Sequence, residues 1–157
     1  MSYAQNTSVP VEKSKAEIEG YLMRYGADQF VSGWEQGRAM IGFRYHERFI
    51  RFTLPLPNRN DQKFKRTPGG RKFLNDEQSF KQWEQACRQR WRALCLCIKA
   101  KLEAVTAGIT TFENEFLAHI VLPSGQTAGE WLCPQIENAT KTGAMPKLLI
   151  DMSGGQP

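Results

Sequence analysis

The sequence predicts an α+β fold: a helix, a three-stranded antiparallel sheet, a long helix packed on that sheet, and a short helical C-terminal tail. Three patterns carry that expectation. From Phe80 through Trp83, Cys87, Trp91, Leu94, Ile98 and Leu102 to Val105, apolar residues recur every three or four positions, the period of one helix face. Arg38–Tyr45 and Arg48–Leu54 are rich in β-branched and aromatic residues and are separated by His46-Glu47, the form of a tight hairpin. A first amphipathic stretch, Ile18, Leu22 and Tyr25, precedes them and stops at Gly26.

Each element has its own local signals. Ser14-x-x-Glu17 has the form of a capping box and marks the start of the first helix. Gln29–Glu35 follows as a strand and Gln36-Gly37 as a turn. With a two-residue connection, Tyr45 pairs with Arg48, Phe43 with Ile50, Ile41 with Phe52 and Ala39 with Leu54. That register gives one apolar face to pack on helices, and an opposite face of Arg38, Met40, Arg44, Phe49, Arg51 and Thr53. Pro55 and Pro57 end the strand. The long helix has Asn75 as cap, Gln78 at the reciprocal position and Gly108 as its stop, giving a length of roughly 48 Å. Its polar side carries Arg88, Arg90, Arg92, Lys99 and Lys101, with only Glu84 and Glu103 nearby. Thr110-x-x-Glu113 and Thr127-x-x-Glu130 open two further short helices, the second containing Pro134 and ending at Gly143. Met145 to Ile150 is expected to run back along the domain in extended form.

At 157 residues, with 41% hydrophobic and 24% charged residues, the chain has the size and composition of one globular domain. The expected organisation is a flexible lead over 1–12, one α+β domain over 13–150 and a flexible tail over 151–157. No apolar run is long enough to span a membrane, and the polar start lacks a signal-peptide pattern, so a cytoplasmic protein is expected. Four cysteines are expected as free thiols. Cys95 and Cys97 project on different sides of a helix and cannot share a metal.

Charge is segregated along the chain. Residues 37–72 hold ten basic and two acidic groups, a net +8, whereas 102–157 are net −4, within a total of +5. Seventeen residues, Asn58–Leu74, form the connection before the long helix and contain Arg59, Lys63, Lys65, Arg66, Arg71 and Lys72 against Asp61. That length without an apolar pattern predicts a mobile basic loop. Arg38, Arg44, Phe49 and Arg51 on the strands, joined by these six loop cations, are the candidate nucleic-acid-binding residues. The cations neutralise phosphates, while Phe49, Phe64 or Phe73 stacks on unpaired bases. A solvated basic face is the plainer alternative.

Chemistry of other kinds finds little support. There is no phosphate-binding loop, dinucleotide fingerprint or nucleophile elbow. The two histidines leave few catalytic options: His46 falls at a hairpin tip, and His119 lies four residues after Glu115, where a surface pair is favoured over a metal site. Neither an enzyme nor a bound cofactor or metal is expected.

Trp83–Leu94, Ile98–Glu103 and Thr111-Phe112-Glu113-x-Glu115-Phe116-Leu117 resemble a family of small uncharacterised phage and prophage proteins. Tyr25–Phe30 and Leu54-Pro55-Leu56-Pro57 share the likeness, which extends from about Lys13 to Ile150. It implies a phage origin and supplies no activity. In element order alone, the chain is similar to the core of phage single-strand annealing proteins and to double-stranded-RNA-binding domains. The expected function is therefore non-enzymatic binding of nucleic acid, with single-stranded DNA in recombination or replication favoured. The alternative is a viral inhibitor or regulator whose basic surface docks on an acidic host protein, such as a defence complex. A homo-oligomer is compatible with either.

Overall fold

A computed structural model of the protein describes residues 4–145. The order is α1 (Val11–Tyr25), β1 (Gln29–Glu35), β2 (Arg38–Tyr45), β3 (Arg48–Pro55), a 3₁₀ turn (Gln62–Phe64), α2 (Asp76–Thr106), α3 (Phe112–Phe116), a second 3₁₀ turn (Leu117–His119) and α4 (Ala128–Thr142). This is the expected α+β arrangement, with a three-stranded antiparallel meander ordered β1-β2-β3. The expected run of Met145–Ile150 lies, from Pro146 on, outside the described residues, as does the tail over 151–157.

The β2–β3 register is the expected one, from Tyr45 opposite Arg48 to Ala39 opposite Leu54. Its cause is local. His46 and Glu47 take left-handed φ values of 46° and 63°, the conformation of a tight hairpin turn whose twist matches the strands. One face of the sheet then buries Ala39, Ile41, Phe43, Ile50 and Phe52 against Ile18 and Leu22 of α1 and Trp91, Leu94, Cys95, Ile98 and Leu102 of α2. Phe112 and Phe116 close the end of this core, with Phe116 edge-on to both Phe43 and Phe52.

α2 begins and ends where its signals place it. Asn75 accepts from the Gln78 amide at 2.8 Å, Gln78 accepts in return from the Asn75 amide at 3.2 Å, and Gly108 has φ 73° just beyond the last turn. α4 likewise starts with the Thr127–Glu130 capping box and stops at Gly143, φ 70°. Pro134 lies within that helix. α4 packs closely on the preceding turn: a Cβ at Gly129 would lie 2.9 Å from the Ala118 carbonyl oxygen, so only glycine permits the approach. α4 itself contains no buried residue.

Two helix starts differ from expectation. α1 begins at Val11, after Pro10 with φ −59°, so Ser14 lies inside the helix and is fully buried rather than capping it. Pro10 stands just before the first turn, where its carbonyl accepts the first helical bond from the Ser14 amide at 3.1 Å and its lack of an N–H leaves no donor unpaired. At α3 the cap is Thr111, whose hydroxyl accepts from the Asn114 amide at 3.2 Å, not Thr110. The packed part of the chain also starts earlier than Lys13. Ala4 is buried, and the carbonyls of Gln5 and Thr7 accept from the Gln89 and Gln85 side chains on α2.

The four cysteines are free, with Cys87 and Cys95 buried and Cys97 and Cys133 exposed. Burial and the neighbouring Glu17 carboxylate push the Cys95 thiol up to about 11. Among the described residues, no helix is long and apolar enough to cross a membrane.

Candidate nucleic-acid interface

The connection between β3 and α2 is built structure rather than an unpatterned loop. Pro57 accepts a hydrogen bond from the Trp83 indole N–H at 2.8 Å, which fixes the start of the segment on α2. Asp61 then caps the 3₁₀ turn by accepting from the Lys63 amide, and Phe64 is buried as the apolar anchor of the segment. Beyond it a small hairpin forms. The Leu74 amide donates to Lys65 O at 2.9 Å, and the Thr67 amide donates to Lys72 O at 2.9 Å. Its tip is Thr67-Pro68-Gly69-Gly70, closed by the Gly70 amide on Thr67 O at 2.7 Å. Proline second and a glycine with φ 98° third is the chemistry of a type II turn.

That hairpin gathers the basic residues. Arg66 lies across from Phe73, with its guanidinium 4.3 Å from the ring centroid and one N–H donating to Gly70 O at 3.1 Å. Phe73 nevertheless remains 73% exposed, an aromatic face held open by a cation on one side. Among the described residues, the side chains of Lys65, Arg71 and Lys72 make no hydrogen bond or ion pair. Lys63 is 3.4 Å from Asp61, and Arg59 stacks 4.8 Å from the Phe80 ring centroid. Between the hairpin and α2 lies an open cleft of about 570 Å³ lined by Arg59, Asn60, Lys65, Phe73, Leu74, Asp76 and Ser79. The start of α2 is a poor place for an anion, because Asn75 already takes the Gln78 amide and the first turn carries the carboxylates of Asp76 and Glu77.

The strand residues behave differently. Arg38, Arg44, Phe49 and Arg51 do share the sheet face away from the core, but two of the three arginines are neutralised within the protein. Arg44 forms a bidentate pair with Asp28 at 2.8 and 2.7 Å, and the hydrogen bonding holds the Asp28 carboxyl below its ordinary value. Arg51 donates to Gly125 O and to Glu130, both at 2.9 Å. Glu130 is held below its ordinary value first by the Thr127 amide and then by Arg51. Arg38 has no such partner among the described residues and lines a cleft of about 360 Å³ with Gly33, Met40, Arg51, Thr53 and Glu130. Phe49 lies near Arg44, 5.8 Å from its guanidinium. The ten candidates therefore fall into a hairpin group with free cations and a sheet group whose cations are mostly spent. The polar side of α2 is also less bare than its own sequence suggests. Arg92 pairs with Glu17 at 2.6 Å and Lys101 with Glu115 at 3.0 Å, acids supplied by other elements.

His119 belongs to the 3₁₀ turn after α3, so it and Glu115 are not on one continuous α-helix. Its ring stacks on Phe52 at 4.0 Å, and Glu115 is engaged by Lys101. Among the described residues, no group of three acidic, cysteine or histidine side chains is placed to hold a metal. Burial first, and then the Lys101 charge, hold His119 below its ordinary value of 6.5. The sign follows directly. Below about pH 6.5 the unfolded chain takes up a proton that the folded chain resists, so stability falls with pH until the lowered folded value is passed. His119→Asn is expected to flatten the pH dependence of denaturant stability below about pH 6.5, and an unchanged slope there would show that His119 is not the group responsible.

Compared with known proteins, the chain matches no protein-family model, no curated protein and no solved structure.

Proposed function

We propose that this chain is a non-enzymatic nucleic-acid-binding protein of phage origin, taking single strands on the 58–74 hairpin in recombination or replication. The observation that carries the proposal is that Lys65, Arg71 and Lys72, three cations without a partner among the described residues, share one hairpin with the exposed ring of Phe73. The cations suit a phosphate backbone, and the ring offers a stacking surface that accepts any unpaired base. Duplex DNA keeps its bases stacked and gives Phe73 nothing to meet, which is why single strands are favoured. The phage assignment rests on the resemblance of Trp83–Glu103 and Thr111–Leu117.

The test is binding of a labelled single-stranded oligonucleotide as salt is raised, beside a duplex of equal length. Affinity for the single strand is expected to fall with a log–log slope of about −2 to −3, reflecting some three to four neutralised phosphates. Absence of binding at low salt ends the proposal, and equal affinity for the duplex removes its single-strand part.

A second reading has one observation in its favour. α4 holds Trp131 and Ile136 exposed and buries none of its residues, a surface better suited to protein than to phosphate. On that reading the chain docks on a host protein as an inhibitor or regulator. A stoichiometric partner that survives nuclease treatment of a host lysate favours it over the first.

A further inference from the structure

The two edges of the sheet are treated differently by the chain. Along β3, the Val121 amide donates to Phe49 O at 2.8 Å and Ile50 bridges Ile120, so the residues after α3 cover that edge. Along β1, all seven residues pair with β2 on one side, and among the described residues nothing pairs on the other. An open edge is a template for another strand, and proteins that keep one usually blunt it with lysine, proline or a bulge. β1, Gln29-Phe30-Val31-Ser32-Gly33-Trp34-Glu35, has none of these: its pairing with β2 is unbroken and its only charge is Glu35 at the last position.

The side chains of β1 are as unfinished as its backbone. The register sets Phe30, Ser32 and Trp34 opposite Phe43, Ile41 and Ala39, on the same face as the core. Yet Trp34 is 80% exposed, since the helices do not reach over it, and on the other face Val31 is 58% exposed. A lone surface valine is ordinary; an indole left standing on the core side of a bare edge is not.

We infer that a second copy of this chain occupies this edge, its β1 antiparallel to the first about a two-fold axis through Ser32. The strand is self-complementary in that register. Phe30 falls opposite Trp34 of the second copy, Ser32 opposite Ser32, Val31 opposite Gly33, and Gln29 opposite Glu35. The two aromatic pairs cover the exposed indoles, and each valine meets a glycine that has open space above it. The two Glu35 carboxylates sit at opposite ends of a ladder about 23 Å long, so no like charges meet. Two indoles with roughly 200 Å² each to cover supply about 400 Å² of the roughly 1,000 Å² that a specific interface needs, and seven paired residues from each copy add to it. Two three-stranded sheets become one of six strands. This interface stands apart from the hairpin and from any reading of its ligand.

The measurement is sedimentation equilibrium of the full chain at up to about 100 μM, where a micromolar dissociation constant gives mostly dimer. The wild type is expected at twice the monomer mass. Val31→Lys with Trp34→Lys, both at exposed positions, is expected to be monomeric and still folded, with the wild-type circular dichroism spectrum and a thermal midpoint that no longer depends on concentration. Ser32→Cys, in a chain where Cys97 and Cys133 are replaced by serine, is expected to form a disulfide-linked dimer under mild oxidation, since residues facing each other across a strand pair fall within bridging distance. A wild-type monomer at the highest concentration overturns the proposal. So does a dimer that survives the double lysine change, or a Ser32→Cys dimer that gives no cross-link. A wild type that dimerises only after removal of residues 146–157 also overturns it, and assigns the edge to the chain's own C-terminal segment.

Discussion

Phe116→Ala is expected to cost about 3–5 kcal/mol of folding stability, a large share of the total for a domain of this size. Phe116 is fully buried, stacked on Phe112 with centroids 4.6 Å apart, edge-on to Phe43 at 5.9 Å and to Phe52 at 6.2 Å. The Lys101 ammonium lies 5.8 Å from its ring. Truncation therefore removes contacts to α2, α3, β2 and β3 together and opens a cavity that rings on three sides cannot collapse to fill. Leu117→Ala, its exposed neighbour, is the control and is expected to stay within about 0.5 kcal/mol of wild type. Urea unfolding of the two variants decides the matter. A Phe116→Ala loss below about 1 kcal/mol would mean that the aromatic cluster is not the keystone of this end of the core.

How far such features can be seen in the sequence depends on the range of the interaction. Asn75, Gln78 and Gly108 are legible because a cap involves residues a few positions apart. The β2–β3 register is legible because a two-residue connection leaves only one pairing that puts all the apolar side chains on one face. Where two local signals compete, the sequence is ambiguous. Ser14-x-x-Glu17 has the spacing of a capping box, but Pro10 starts the helix sooner, and Glu17 is drawn to Arg92 with its carboxyl held low by that hydrogen bond. Thr110 and Thr111 present the same difficulty side by side.

The site divides along the same line. Arg44 is ion-paired with Asp28, which stands beside Gln29, and Gln29 faces Arg44 across β1 and β2. Extending the register by one strand would have found it. Arg51 is ion-paired with Glu130, 79 residues away, and only the folded chain brings α4 to the sheet. The 58–74 segment looks free of apolar pattern because its buried anchor is a single residue, Phe64 beneath the turn, while Phe73 across from Arg66 stays exposed. Pro68-Gly69 was the available signal for a turn with chain returning on both sides.

Knowing which cations are spent makes the decisive test of the interface sharper. Lys63 and Arg66 serve the hairpin itself, one beside Asp61 and the other bonded to Gly70 O and stacked on Phe73. Lys65, Arg71 and Lys72 serve nothing within the described residues, so their charge is available to a polyanion. Reversing these three to glutamate is expected to weaken single-strand binding by about 100-fold near 0.1 M salt and to make the salt slope shallower by about 2, the share of three phosphates. The thermal midpoint is expected to move by only a few degrees, because exposed substitutions usually change stability by about 0.5 kcal/mol or less each. Arg44→Gln, on the sheet, is expected to leave affinity within about twofold, since its charge is already held by Asp28. Unchanged binding in the triple variant would remove the hairpin from the interface. Loss of binding in Arg44→Gln alone would move the interface to the sheet, and an unfolded triple variant would show that these charges hold the hairpin together.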